Sequence, residues 1–326
     1  MNILKTLIEV LGVSYSSIFK DSLTASRKYK EFTIPKKKGG RRKISQPSED
    51  VKIVQSAISS VLLNSLPVSD YAYAYIRNRS IYDNAFIHKE SSFLLKLDFK
   101  DFFHCIRPEH LKYYIKKNIS DISDMEVDIV NNFLFWFDND DNKLKLCIGA
   151  PTSPLISNIV MYEFDEKISK ICEDFDVIYS RYADDITLSS NNRDDIDTVE
   201  IKINNLIKET NIPLLKLNKK KRVFVSQHMS KRITGIIITH DNKLSVGRYK
   251  RKKIKALLHL YNNRKLKDKD IPYLHGFLSF IKNIEPEYFN KLKSKYNEKL
   301  FHQLAKESYI LSKKEKEKEM ITHEKL

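Results

Sequence analysis

Glycine is scarce in this chain, with seven residues in 326. Each one therefore needs a reason, a turn or a close approach, and no glycine-rich linker divides the chain. Cysteine is scarcer still. Cys105, Cys147 and Cys172 stand apart with no CxxC spacing. That excludes a disulfide framework and a zinc site of ordinary spacing, and fits reduced thiols in a cytoplasmic protein. No apolar run is long enough to span a bilayer, so no membrane association is expected. The opening MNILKTLIEVLGVSYSSIF lacks the basic start and small-residue cleavage site of a signal peptide, and reads as an amphipathic helix. Internal repeats are also missing.

What abounds is positive charge. The formal net charge is +16, from 58 Lys or Arg against 42 Asp or Glu. Lys, Ile, Asn, Tyr and Phe are all plentiful, as AT-rich codons would give, but codon bias does not place the lysines. Residues 248–326 carry 21 Lys or Arg and 10 Asp or Glu, a net +11. KKKGGRRK at 36–43 has six basic residues in eight, whereas 121–141 is acidic. A basic segment with interleaved aromatics favours a polyanionic partner, most simply nucleic acid; the plain alternative is a solvated basic surface.

Periodicity and turn signals give a mixed order of elements. Residues 1–30 read as helical, and KEFTIPKKKGGRRKISQPS (30–48) as a hairpin around its Gly-Gly turn. Residues 49–65 have helical period, and Ser80 with Asp83 has capping-box-like spacing. SSFLLKLDF (91–99) is a strand, followed by a helical region over 108–137. Ser153 is the expected N-cap of the next helix, with Pro154 at its first position. VIYSRYADDITLSS (177–190) forms a hairpin, then comes a helix near 194–209. KRITGIIITHDNKLSVG (231–247) gives two strands around an Asp-Asn turn, and the chain is helical and basic from 248 onward. The tail KKEKEKE reads as a solvated helix end or disorder. Few clean βαβ repeats occur, so the fold class is α+β rather than a doubly wound sheet.

The adjacent Asp184 and Asp185 are out of character for a strand-forming run, because carboxylates are costly to desolvate. Cations would neutralise them. Mg²⁺ takes carboxylates plus substrate phosphates, and two such ions about 3.5–4 Å apart clamp the attacking and leaving oxygens of a phosphoryl transfer. That arrangement needs a third carboxylate, and the apolar run Phe93–Leu97 ends at Asp98, with Asp101 near the turn. Taken singly, an Asp-Asp pair is more often a turn or surface pair, and Asp98 is a strand-ending cap. The conjunction is what carries weight.

RYADD together with LDFKDFF, GAPTSP and KKKGGRRKISQPS resembles the ordered motif series of reverse transcriptases, over about residues 30–240. The resemblance implies a right-hand polymerase. Its N-terminal helices and fingers cover 1–95, and its palm 96–240, with a fingers insertion at about 108–150. A basic helical thumb and tail cover 241–326. Residue by residue, Asp98, Asp184 and Asp185 match the family's catalytic metal-binding triad, which implies two Mg²⁺ ions. Phe103 matches an aromatic gate against a ribose 2′-hydroxyl, which implies dNTP substrates, with Asp101 and Phe102 beside it. Outside the motif Phe103 reads as a core aromatic. Gly149 lets backbone approach a ligand closely, and Ser153 with Ser157 gives the next helix a small polar stripe for template or nascent pair. Ile148 stands where many relatives carry Gln. Arg42 matches the fingers arginine that grips the triphosphate, with Lys38 and Arg41 in the same cluster. Lys221 in KLNKKKRVFVS matches an Asn-x-x-Lys segment near the leaving pyrophosphate.

Two features are similar to bacterial retron reverse transcriptases in particular. NAFIH (84–88) fits their NAxxH motif, and RITG resembles their VTG motif with Ile233 for Val, keeping Thr234 and Gly235. Asn84 and His88 are spaced i, i+4 and share one helix face. Singly, His88 reads as a core or capped histidine and Gly235 as a bulge. HGFLSFIKNIEPEYFNKL (275–292) resembles the retron thumb, and no nuclease or maturase extension is expected after residue 300. The resemblance implies an RNA-directed DNA polymerase bound to a cognate noncoding RNA that serves as template and primer. Synthesis starts from a guanosine 2′-hydroxyl, the RNA–DNA hybrid product is branched msDNA, and an effector protein partners the enzyme in anti-phage defence. Folded RNA is read through shape, phosphates and 2′-hydroxyls. The RNA-contact candidates are Asn84, His88, Thr234, Gly235, Arg248, Lys250 and Arg251. Tyr249, Tyr261, Tyr273 and Phe277 are interleaved in the basic segment, as contact surface or thumb core. Two alternatives stay open: a template-independent polymerase like the abortive-infection relatives, and an inactive RNA-binding regulator. The intact carboxylates argue against the second.

Overall fold

The computed structural model describes residues 3–36, 39–210, 212–226 and 229–323. Lys38 of the basic hairpin lies outside them. The chain forms two compact units, residues 1–80 with 91–226, and residues 81–90 with 227–326. Helices and antiparallel sheets are mixed in α+β fashion.

In the first unit the opening helix is two helices, Ile3–Leu11 and Tyr15–Ala25. Gly12, at φ +66, follows the first, and Ser14 caps the second by accepting from the Ser17 amide at 3.2 Å. The expected hairpin forms from β1 (Tyr29–Pro35) and β2 (Arg41–Pro47), with Pro35 opposite Arg41. A four-stranded antiparallel sheet follows, built from β3 (Phe93–Asp98) and three strands later in the chain. Before those, the 108–137 region divides into helices Pro108–Asn118 and Asp124–Leu134, then enters a small hairpin of β4 (Trp136–Asp138) and β5 (Lys143–Lys145). The other sheet strands are β6 (Ile178–Tyr182), β7 (Asp185–Ser190) and β8 (Val223–Val225), in the order β6-β7-β3-β8.

The period of two along a strand decides where the acids go. Leu95 and Leu97 of β3 join the core, as do their register partners Leu188 and Ile186 of β7. Helices Ser153–Val160, Tyr162–Glu173 and Arg193–Glu209 contribute Ile156, Ile168 and Val199 to the same core. Asp98 alternates to the other face and lies opposite Asp185. The helix Ser153–Val160 starts one residue earlier than expected: Thr152 is at the N-cap and Ser153 is already helical. Ser153 and Ser157 are buried and form no exposed stripe, because this side of the helix packs inward, and the Ser157 hydroxyl donates to the Pro154 carbonyl at 2.7 Å.

In the second unit β9 (Lys231–Ile233), β10 (Ile236–Ile238) and β11 (Leu244–Ser245) form a three-stranded sheet, one strand more than the sequence suggested. The extra hairpin turns on the RITG motif. Ile233 pairs with Ile236, and Thr234 and Gly235 sit at φ 46 and 90. Positive φ at both central residues is the type I′ geometry. A β-branched Thr is a poor residue for it, which is why the turn signal was weak. Helix Ile81–Phe86 packs on these strands. Helices Arg248–Asn262, Ile271–Ile284, Pro286–Tyr296 and Glu298–His323 complete the unit. Among the described residues, no helix is long and apolar enough to cross a membrane.

Gly149 has a sharper role than sequence suggested. Its φ is +130, and a Cβ there would lie 2.7 Å from the Ser45 carbonyl oxygen of β2. The close approach is to the hairpin backbone, which also bonds from the Ser45 amide to the Ile148 carbonyl at 2.9 Å. Gly149→Ala is expected to lower stability by about 1–3 kcal/mol through this overpacking. Urea unfolding would show a lower midpoint with an unchanged slope; a wild-type midpoint would mean that the hairpin is not held this closely.

Candidate active site

Three acidic residues are brought to neighbouring backbone positions where the end of β3 adjoins the β6–β7 hairpin. Asp98 ends β3, Asp184 sits in the two-residue turn after Tyr182, and Asp185 opens β7 opposite Asp98. Ala183, the first turn residue, is at φ 57, a strained value for a residue with a Cβ. Backbone bonds fix the ends to each other. The Phe99 amide donates to the Asp184 carbonyl at 3.0 Å, and the Asn218 amide donates to the Asp98 carbonyl at 2.7 Å.

The carboxylates are crowded and only partly neutralised. Asp98 is 6% exposed; its Oδ2 accepts from the Lys221 ammonium at 2.6 Å, and its buried Oδ1 has no hydrogen-bond partner. Burial, then repulsion from Asp98, pushes Asp184 above the usual carboxylate range, with Lys221 and Arg42 acting in the opposite sense. Burial, then Asp184, raises Asp185 to about 6, and Asp98 adds to the rise. For Lys221, burial favours the neutral amine, but the bond to Asp98 and the pull of Asp184 and Asp185 outweigh it and raise its pKa.

These groups fit a hard divalent cation. All are oxygen donors, one buried oxygen lacks a partner, and a cation would relieve the mutual repulsion. Among the described residues no three such side chains already converge as a ready ligand set, and Lys221 supplies the positive charge at Asp98.

A cavity of about 440 Å³ opens beside the acids. Arg42, Asp101, Phe102, Phe103 and Lys221 line it with Asp98 and Asp184, while Gly149 does not and its neighbour Ile148 does. Phe102 is buried and stacks on Phe99 at 5.7 Å. Phe103 is half-buried and meets Phe102 edge-on at 5.5 Å, so it is the ring with surface left for a ligand. Asp101 takes a left-handed φ of 51, turning the chain into the short helix Phe102–Cys105. Of the basic hairpin, Lys43 is engaged by Asp140, Glu31 and Asp138 at 2.9, 3.1 and 3.3 Å. Arg41 donates through Nε to the Thr33 hydroxyl at 2.6 Å. Tyr75 was not singled out by sequence. It lines the cavity 54% exposed, at φ 62, with Arg42 and Asp184 both close enough to influence its hydroxyl.

The RNA-contact candidates lie in the second unit. Asn84 and His88 are wholly buried. Thr234 donates through Oγ1 to the Ile81 carbonyl at 3.4 Å, and Lys250 through Nζ to the Gly235 carbonyl at 3.3 Å. The NAFIH and RITG motifs thus form one cluster from distant parts of the chain. Arg251 pairs with the buried Glu285, and Arg248 is exposed.

A family model described as reverse transcriptase (RNA-dependent DNA polymerase) matches residues 34–257. The chain is similar to the retron Ec83 reverse transcriptase of Escherichia coli, 38% identical over 282 residues, covering 86% of this chain and 90% of that protein. It is similar to the retron Ec73 reverse transcriptase of Escherichia coli, 34% identical over 279 residues, covering 82% of this chain and 86% of that protein. Among solved structures it is similar to a Candida tropicalis telomerase in complex with a telomeric RNA fragment. That match has TM-score 0.49 and 13% identity, covering 90% of this chain and 61% of that one.

Sequence reading passed over the residue that holds the turn. Arg181 of β6 is fully buried on the core face, opposite Ile186. Its Nε and Nη2 donate to the Asp165 carboxylate at 2.8 and 2.7 Å, and its Nη1 donates to Asn158 Oδ1 at 3.2 Å and to the Ala183 carbonyl at 3.1 Å. Tyr179 donates to the same carboxylate at 2.6 Å. A signal existed: Asp165 lies on the buried side of its helix with Met161, Ile168 and Cys172. Arg181→Met strands a buried carboxylate and is expected to cost about 3–5 kcal/mol, whereas Arg181→Met with Asp165→Leu recovers most of it. Urea midpoints check both; a single variant as stable as the double would remove the pair from the account.

Proposed function

The chain belongs to the bacterial retron reverse transcriptases, and from that premise we propose that it copies part of one structured noncoding RNA into DNA. It is an RNA-directed DNA polymerase. The RNA acts as template and primer, and synthesis starts from a guanosine 2′-hydroxyl. The product is a branched multicopy DNA joined to RNA. The setting is anti-phage defence, with an effector protein as partner. The proposed division is fingers over 1–95, palm over 96–240 and thumb over 241–326. The observation that carries the reading is the grouping of Asp98 and Asp184 with Arg42, Phe103 and Lys221 around one cavity.

In the proposed reaction a primer hydroxyl attacks the α-phosphate of a deoxynucleotide in line. The new P–O bond forms as the bond to pyrophosphate breaks. Asp98, Asp184 and Asp185 would hold two Mg²⁺ ions, which would supply charge neutralisation for the phosphoryl transfer. Arg42 grips the triphosphate from the hairpin with its forked donors. Lys221, whose raised pKa keeps it protonated, exchanges Asp98 for the departing pyrophosphate. Phe103 fills the space that a ribose 2′-hydroxyl needs, and Phe102 backs it.

Replacing Asp184 and Asp185 together by Asn is expected to reduce primer extension on an RNA template to background while RNA binding persists. Undiminished extension would overturn the metal-site assignment. Phe103→Ala should relax discrimination against ribonucleotides by about 10–200-fold, the range for a small group accommodated in a pocket. Single-nucleotide incorporation assays measure it, and unchanged selectivity would return Phe103 to the core.

A further inference from the structure

Residues 81–90 belong to the C-terminal unit, and the two motif residues they carry point to its interior. Asn84 and His88 are wholly buried, and burial lowers the His88 pKa to about 3. From this position neither side chain reaches a ligand. Their neighbours do. Tyr82, Phe86 and Lys89 line a cavity of about 570 Å³, together with Tyr288 and Lys291 of the helix Pro286–Tyr296. That volume suits one drug-sized or nucleotide-sized ligand.

The cavity combines a stacking face with cations. The Tyr82 and Phe86 rings stack 5.7 Å apart, Phe86 is 43% exposed, and the Lys89 ammonium lies 4.2 Å over the Phe86 ring. Lys291 forms no ion pair among the described residues. Arg251 also lines the cavity, but Glu285 neutralises it, and its guanidinium lies 4.7 Å over the Tyr288 ring. The exposed ring alone would mean little. A ring with one ammonium over it and a second in the lining of the same cavity is what a flat base with an attached phosphate requires.

We propose that this cavity takes one unpaired nucleotide of the bound RNA, its base stacked on Phe86 and its phosphate against Lys89 and Lys291. The proposal rests on the reading that the chain binds a structured RNA, and it names the contact. Single-stranded bulges and loops offer such bases; a duplex does not. Asp241 and Glu287 also line the cavity, and their charge disfavours a run of phosphates, so one splayed nucleotide fits better than a tracked strand. Asn84 and His88 are then positioning residues that seat the helix carrying Phe86.

The test uses the full chain and a single-stranded r(U)12 probe bearing 4-thiouridine, with poly(rC)·oligo(dG), whose template strand does not pair with the probe, present to occupy the polymerase site. Ultraviolet cross-links mapped by mass spectrometry should fall on peptides spanning 81–89 and 287–291. Phe86→Ser should weaken r(U)12 binding about 10-fold, as expected for loss of one stacked base. Lys89→Glu, at a half-buried position where the ammonium also pairs with Glu90 at 3.5 Å, should weaken it and lower the salt dependence by roughly one phosphate contact, with circular dichroism checking that the variant folds. Both variants should extend poly(rC)·oligo(dG) as wild type does. Cross-links confined to the polymerase cavity, or variants that bind r(U)12 normally, would overturn the proposal. So would variants that bind r(U)12 normally but lose a protein partner, since that assigns the cavity to protein. If wild type fails to extend poly(rC)·oligo(dG), the polymerase reading fails; if it extends but the cavity does not cross-link, only the nucleotide proposal does.

Discussion

Arg181 carries a full charge into the interior, on the face of the sheet where Ile186 and Leu97 lie. Desolvating a guanidinium and a carboxylate together costs several kcal/mol per ion, and a hydrophobic pair of similar volume would often be as stable. What the hydrophobic pair could not do is donate in four directions. Arg181 ties Asp165 of one helix, Asn158 of another and the Ala183 carbonyl of the turn. Its own backbone bonds to Tyr71 and Tyr73 at 2.8 Å. The strained turn and the position of Asp184 depend on this side chain, and the backbone of the same residue holds the segment that leads to Tyr75.

The sheet handles charge in opposite ways on its two faces. On the core face the Arg181 guanidinium and the Asp165 carboxylate satisfy each other through two close hydrogen bonds. Around the turn the Lys221 ammonium bonds Asp98 alone among the described residues, and burial, then mutual repulsion, raises the pKa values of Asp184 and Asp185. The rigid, satisfied face holds the under-neutralised one in place. Without that support, repulsion would spread the carboxylates or protonate them.

The acids were legible in the sequence because alternation is local: an Asp after FLLKL must leave the apolar face, and a DD pair between two strand-forming runs must sit at a turn. The hairpin of β1 and β2 was legible from its Gly-Gly turn. Arg181 was not, because a charged residue one step before a turn looks like the strand's solvated end, and its partner Asp165 is placed by another element. The Thr234–Gly235 turn was hidden by a β-branched residue at positive φ. Gly149 was read as space for a ligand when the neighbour is the Ser45 backbone; only tertiary structure tells these apart. His88 read singly as a core histidine, and it is buried; the burial of Asn84 was not legible because a six-residue helix is too short for a hydrophobic period to declare itself.

The membership of residues 81–90 in the C-terminal unit also has a consequence in time. The hydroxyl of Thr234 bonds to Ile81 across 153 positions of sequence. During synthesis at about 5–20 residues per second, the short helix emerges on the order of ten seconds before its partner strands exist. Through that interval the side of it that carries Asn84 and Ala85 is uncovered, although β3 directly behind it has already been made. The segment bearing NAFIH therefore completes its folding only after β9, β10 and β11 have been made, when most of the unit that carries the carboxylates has left the ribosome.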